Sequence, residues 1–151
     1  MGGEQYRYLT ADDVWAMNVA ILQAEGDTSH LLSFNALESA VMRPAQAARY
    51  QPDTDLAQLA TLLISGITLA HPFLDGNKRT AAIAGMTLLR LNGYRITPTD
   101  ETLGRQVEAL VTATGDRQRA TDDFTAWLRS VMEPIEQSEE KQRRPGRGGV
   151  C

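Results

Sequence analysis

The stretch from Asp55 to Ala70 limits the folds open to this chain more than any other, because it is apolar nearly all round. Leu56, Leu59, Leu62, Leu63, Ile64, Ile67 and Leu69 leave it no polar face. A helix of that kind has to be enclosed by other helices, so the pattern predicts the central member of a bundle. A break rich in turn residues follows, His71-Pro72-Phe73-Leu74-Asp75-Gly76. A second helix is expected from about Asn77 to Asn92, with Gly93 as its left-handed cap. Its small residues Ala81, Ala82, Ala84 and Gly85 would let it lie close against the first.

Other segments supply the surrounding helices. One begins near Thr10, with Asp13 as capping partner, and carries Val14, Met17, Ile21 and Leu22. Another starts at about Asn35, carries Leu37, Ala40 and Val41, and is expected to stop before Pro44, since proline disfavours a helical predecessor. Residues 43–54, with prolines near both ends, read as a loop or short hairpin with at most a helical turn. Two amphipathic helices complete the set. One holds Leu103, Val107, Leu110 and Val111; the other opens at Thr121, carries Phe124, Trp127, Leu128, Val131 and Met132, and ends at Pro134. There are no repeats and no long alternating pattern, so the expected fold class is an all-α helical bundle. A chain of 151 residues suits one domain, expected over 1–134, and the charged stretch 135–151 is expected to be disordered.

Composition closes off several classes of function. With 42% apolar and 23% charged residues the chain is ordinarily globular. The long apolar stretch is interrupted by Ser65, Gly66 and Thr68 and closed by Lys78 and Arg79, so no membrane span is expected. Met1-Gly2-Gly3-Glu4-Gln5 lacks the layout of a signal peptide, and the lone Cys151 has no internal disulfide partner and does not form a prenylation signal. A cytoplasmic location is the expectation. Acids and bases cancel over residues 133–151, so the net charge of −4 belongs to the body. An acidic body is a poor binder of duplex DNA, and any phosphate chemistry needs a local basic pocket.

The segment His71–Thr80 offers that pocket. Gly76 permits backbone angles that let successive N–H groups converge on an anion, and the helix opening after it adds its positive dipole end. Gly76, Asn77, Lys78 and Arg79 together read as a phosphate cradle. A bare carboxylate at its mouth would repel phosphate, so Asp75 makes sense as a Mg²⁺ ligand. His71 is the obvious neutral base nearby, able to accept a hydroxyl proton. Singly, each has an ordinary explanation: a histidine before proline is usually structural, Asp75 could cap a helix, and Lys-Arg could be a solvated helix start. Their concentration in one short turn favours a site. The pattern is not a Walker loop, because the upstream glycine and the Ser/Thr after the lysine are missing. The chemistry suggested is attack by a hydroxyl on a metal-bound nucleotide phosphate.

His71-Pro72-Phe73-Leu74-Asp75-Gly76-Asn77-Lys78-Arg79 resembles the signature of the Fic/Doc family in its death-on-curing (Doc) branch. Leu37-Glu38-Ser39-Ala40 with Arg43-Pro44, and Leu88–Gly93 with Tyr94, are similar to further stretches of that branch, and the resemblance runs from about Leu9 to Met132. It implies a Fic-type bundle with the signature loop between two central helices, and ATP with Mg²⁺. It further implies a toxin of a toxin–antitoxin system that modifies a protein hydroxyl. Members with glycine at the position of Lys78 typically transfer AMP. Doc members with lysine there resemble protein kinases delivering the terminal phosphate to the translation factor EF-Tu, and a cognate antitoxin blocks them. Carried over, His71 is the general base, Asp75 the metal-side carboxylate, and Gly76, Asn77, Lys78 and Arg79 bind phosphates.

This chain also departs from the family pattern. Phe34-Asn35 stands where many Doc-like chains have Arg-Asp, and Gly76 replaces the alanine of some kinase-type members. Ile21-Leu22-Gln23-Ala24-Glu25-Gly26 resembles the inhibitory helix of self-inhibited Fic proteins, but Ile21 takes the hydroxyl position. Glu25 is therefore read as a helix-end residue, and control by a partner is expected over self-inhibition. AMP transfer, a non-catalytic binding module, and a phosphohydrolase built on His71 and Asp75 are the competing readings. The last has only His30 as a further histidine to complete a metal site.

Overall fold

The apolar stretch forms helix α3, Leu56–Ala70, and it is indeed the member that the others enclose. In the computed structural model, which describes residues 6–135, its buried residues include Leu56, Leu59, Thr61, Leu63, Ile64 and Ile67, which cover more than half of its circumference and leave Gln58 and Leu69 exposed on the remaining face. Asp55 starts it with a capping box: Oδ1 accepts from Gln58 N at 2.9 Å, and Asp55 N donates to Gln58 Oε1 at 2.9 Å. Helix α1 (Ala11–Ala24) begins with a capping box between Thr10 and Asp13, as expected. Helix α4 (Asn77–Leu91) and helix α2 (Phe34–Tyr50) make the most extensive packing with α3, and α5 (Asp100–Thr112) and α6 (Arg117–Val131) complete its surroundings. The all-α bundle expected from the sequence is what the chain forms. Among the described residues no helix is long and apolar enough to cross a membrane.

The α3–α4 contact is tight because Gly85 has no side chain. A Cβ there would lie 2.6 Å from Ile64 Cδ1 and 2.7 Å from its Cγ1. The α3–α2 approach at Gly66 is looser: a Cβ there would sit 3.5 Å from Ala40 O, an ordinary van der Waals distance.

That second contact bears on the largest error of the sequence reading. Helix α2 does not stop before Pro44; it continues through it to Tyr50, so residues expected in a loop or hairpin are helical. A proline inside a helix costs about 3 kcal/mol, largely through the lost bond to the carbonyl four residues back. Here that carbonyl, Ala40 O, faces Gly66 of α3, and Leu37, Ala40, Val41, Pro44 and Ala48 are all buried. Burial of this face outweighs the local penalty.

Smaller differences follow from caps and pairings that periodicity does not reveal. Helix α6 opens at Arg117, not Thr121, because Asp116 Oδ1 accepts from Arg119 N at 3.0 Å. A short antiparallel ribbon joins β1 (Tyr94–Ile96) to β2 (Met132–Pro134), with Tyr94 opposite Pro134, Arg95 opposite Glu133 and Ile96 opposite Met132. Ile135 N then donates to Gly93 O at 3.0 Å, tying the end of the described chain to the end of α4. The tail expected over 135–151 lies, except for Ile135, outside the described residues, as do the N-terminal five residues and Cys151.

Two stability measurements check this packing. Gly85→Ala should lower unfolding free energy by about 1–3 kcal/mol through overpacking against Ile64. Gly104→Ala, in α5 with nothing within 4 Å of the added Cβ, should raise it by about 0.5–1 kcal/mol; equal effects of the two in denaturant titrations would contradict the close α3–α4 approach. The second concerns Asp55, whose Oδ2 accepts from Arg129 Nε at 2.8 Å. Burial alone would raise its pKa, but the Arg129 guanidinium and the Gln58 N–H outweigh it and hold the carboxyl below its ordinary value. A depressed folded pKa means the contribution is complete above the unfolded value of about 3.9 and is lost as pH falls through the folded one. Arg129→Met should therefore cost about 0.2–1 kcal/mol at neutral pH, the pair being half exposed. That cost should vanish at lower pH; a difference from the parent that persists at pH 2 would rule the bridge out as its origin.

Candidate active site

The chain leaves α3 through an unusual backbone conformation. His71 has φ 49° and ψ 56°, the sole non-glycine residue with positive φ among the described residues. That costs on the order of 1 kcal/mol, and the next residues show what holds it. Leu32 N donates to Pro72 O at 2.7 Å and Leu74 N to His30 O at 2.9 Å, so the linker after α1 runs antiparallel beside the turn, with Leu31 paired to Phe73. Phe73 is fully buried and plugs the turn into the core.

Asn77 clamps the other side. Its Oδ1 accepts from Phe73 N at 3.1 Å and its Nδ2 donates to Phe73 O at 2.8 Å. The same Nδ2 lies 3.2 Å from His71 Nδ1 and 3.4 Å from Nε2. A nitrogen in the ring plane at nearly equal distance from both would collide with Cε1, so the amide sits over the face of the imidazole. The ring is thereby held in place while both nitrogens keep their in-plane directions for proton exchange.

At Gly76 the chain turns into α4 with φ 79°. A side chain here is excluded twice: by the left-handed backbone, and because a Cβ would lie 2.9 Å from Leu22 Cδ2 and 3.1 Å from Asn18 Nδ2 of α1. The first bond of the helix runs from Thr80 N to Gly76 O at 2.9 Å, so the N–H groups of Asn77, Lys78 and Arg79 lie at its open, electropositive end. Asp75 Oδ1 accepts from Gly76 N at 2.8 Å.

All six residues singled out in the sequence, His71, Asp75, Gly76, Asn77, Lys78 and Arg79, line one cavity of about 520 Å³, with Thr68, Leu74 and Val111 as further walls. Asn77 spends its side chain on Phe73 and His71, so what it offers the cavity as a donor is its backbone N–H. The two cations are each matched by a carboxylate the sequence reading did not assign to the site. Lys78 Nζ is 2.5 Å from Glu108 Oε1 of α5, and Arg79 pairs with Glu25 at the end of α1. Glu25 is the C-cap of α1, the helix-end residue expected, and it also holds Arg79. All four side chains are about half exposed, so these pairs are weak and a multiply charged anion can displace them. Among the described residues no group of three or more His, Cys, Asp or Glu converges. A divalent cation here would rest on Asp75 and complete its shell with phosphate oxygens and water, the usual manner of Mg²⁺.

Comparison with known proteins agrees with this geometry. The model of the Fic/DOC family matches residues 8–89, more than half of the chain. The chain is also 34% identical over 91 residues to Toxin Doc of Mycolicibacterium smegmatis (strain ATCC 700084 / mc(2)155), covering 59% of this chain and 67% of that protein. The family match contains α1 to α3, the turn and most of α4; Glu108 and Val111 of α5 lie beyond it.

If Glu108 shields Lys78, then Glu108→Gln should tighten binding of tripolyphosphate about two- to fivefold at low salt, corresponding to an exposed pair of up to about 1 kcal/mol. The gain should shrink as ionic strength rises. Unchanged affinity in calorimetry would mean that Lys78 stays out of the anion site.

Proposed function

Because this chain belongs to the Fic/DOC family, we propose that it is a Doc-like toxin acting as a protein kinase, passing the terminal phosphate of ATP to a hydroxyl of a target protein. The observation that carries the reading is the cavity itself. It sets a histidine, a single carboxylate, and the open end of a helix bearing Lys78 and Arg79 around one space. Transfer of a terminal phosphoryl group spreads charge over the equatorial oxygens, and positioned cations and N–H groups are what stabilise it.

The phosphate chain binds at Gly76–Arg79, displacing Glu108 and Glu25 from the two cations. The target hydroxyl enters beside His71. Its oxygen bonds to the γ-phosphorus while the bond from that phosphorus to the β–γ bridging oxygen breaks. The hydroxyl proton passes to a ring nitrogen of His71 and ADP leaves. Bound Mg²⁺, held on the Asp75 side, would neutralise charge on the phosphate chain. The ammonium of Lys78 and its long stem occupy the space where the outer phosphates would lie for AMP transfer, which favours the reversed nucleotide. By the same family likeness the translation factor EF-Tu is the first target to try, in the cytoplasm, and a cognate antitoxin is the expected inhibitor. One observation favours AMP transfer instead: Gly76 is the residue typical of AMP-transferring members.

Incubation of the purified chain with target protein and ATP labelled at the α or γ position separates the two. Label is expected from γ-labelled ATP only, and to be lost in Lys78→Ala. His71→Asn, whose residue type tolerates the left-handed backbone, should remain folded and lose about 10²–10⁴ in rate. Label arriving from α-labelled ATP would establish AMP transfer, and near-full turnover in the His71 variant would remove it as the base.

A further inference from the structure

Asn18 lies on the inward face of α1 with no exposed surface, between the apolar Val14 and Leu22 one turn away on either side. A buried amide is costly unless its polar atoms are bonded, and these bonds go to three separate segments. Nδ2 donates to Asp75 O at 3.0 Å and to Thr80 Oγ1 at 3.0 Å, while Oδ1 accepts from Ser29 Oγ at 2.5 Å. Asp75 ends the turn and Thr80 stands in the first turn of α4. Ser29 immediately precedes the strand-like segment that pairs with Pro72–Leu74.

The consequence for the site follows from the planarity of the peptide bond. In a trans peptide the C=O of one residue and the N–H of the next point in opposite directions. By drawing the Asp75 carbonyl towards the core, Asn18 turns the Gly76 N–H away from it, where Asp75 Oδ1 now takes it up. Asn18 also packs against Gly76, where a Cβ would lie 3.1 Å from its Nδ2. Asn18 does not line the cavity. We propose that Asn18 is a positioning residue that fixes the direction of the Gly76 N–H, the first donor of the phosphate cradle. The proposal rests on the reading of Gly76–Arg79 as that cradle.

Asn18→Leu removes the donor with the same number of side-chain heavy atoms but a larger volume, and Asn18→Asp keeps shape and the Ser29 bond but replaces the donor by an acceptor. Thr80→Val deletes only the other bond of the same amide. Each full chain is assayed by thermal unfolding, by calorimetry with Mg-ATP, and by the amide resonance of Gly76 in ¹⁵N-labelled protein. Both Asn18 variants are expected to shift the Gly76 resonance without ligand and to weaken Mg-ATP binding about tenfold. Thr80→Val should leave both within about twofold of the parent, whatever its melting temperature. Should Asn18→Leu fail to fold, Asn18→Asp decides. A folded Asn18 variant with an unmoved Gly76 resonance and parental affinity overturns the proposal and leaves the kinase reading intact. A parent that does not bind Mg-ATP, with the Gly76 resonance still moved by the Asn18 variants, overturns the cradle reading instead.

Discussion

The contact between Ile64 and Gly85 is the constraint on which the rest depends. It brings α3 and α4 closer than side chains on both would allow, and the site is the turn that joins these two helices. The burial of more than half the circumference of α3 resists rotation, since turning it would bring buried leucine and isoleucine side chains out to water. With both helices fixed, the six residues between them have little choice of path. A left-handed histidine at one end and a left-handed glycine at the other close the gap. The strain at His71 is held by bonds from the neighbouring linker and by the buried ring of Phe73, so the core supports an arrangement that local preferences would not select.

The electrostatics are local in the same sense. A chain with a net charge of −4 has no general attraction for phosphate, yet it places two cations and the N-terminus of a helix on one cavity. Cations at that end of a helix oppose its dipole, which raises the cost of leaving them unmatched. Glu25 and Glu108 lower that cost from outside α4, one from each flanking helix. Such exposed pairs exchange readily for a ligand, whereas buried ones would resist it.

The features readable in the sequence were those in which local chemistry and tertiary role coincide. The largely apolar stretch reads as a central helix, the Thr10 segment carries its own cap, and the turn concentrates six candidate residues within nine positions. What escaped reading depended on partners distant along the chain. Pro44 looks like a helix end until Gly66 is seen opposite Ala40. A three-residue strand such as Tyr94–Ile96 is too short for periodicity to register. Asn18 and Glu108 stand in no motif and carry no signal of their own in the sequence. Neither is near the signature in sequence, and both meet it only when α1 and α5 pack. Glu25 carries a motif resemblance that Ile21 leaves incomplete, and its pairing with Arg79 exists only once α1 packs beside α4.

The division of the site between helices bears on how such a protein can diverge. The turn and α1 are bound together where Gly76 meets Asn18 and Leu22, so closely that a side chain at Gly76 would force its neighbours to move. Glu108 sits on the surface of α5 and touches the site through a single ion pair. Drift at that one position can change the charge beside Lys78 by small steps while the turn itself stays as it is. The tightly packed turn and the carboxylate that holds Lys78 are thus free to vary independently of one another.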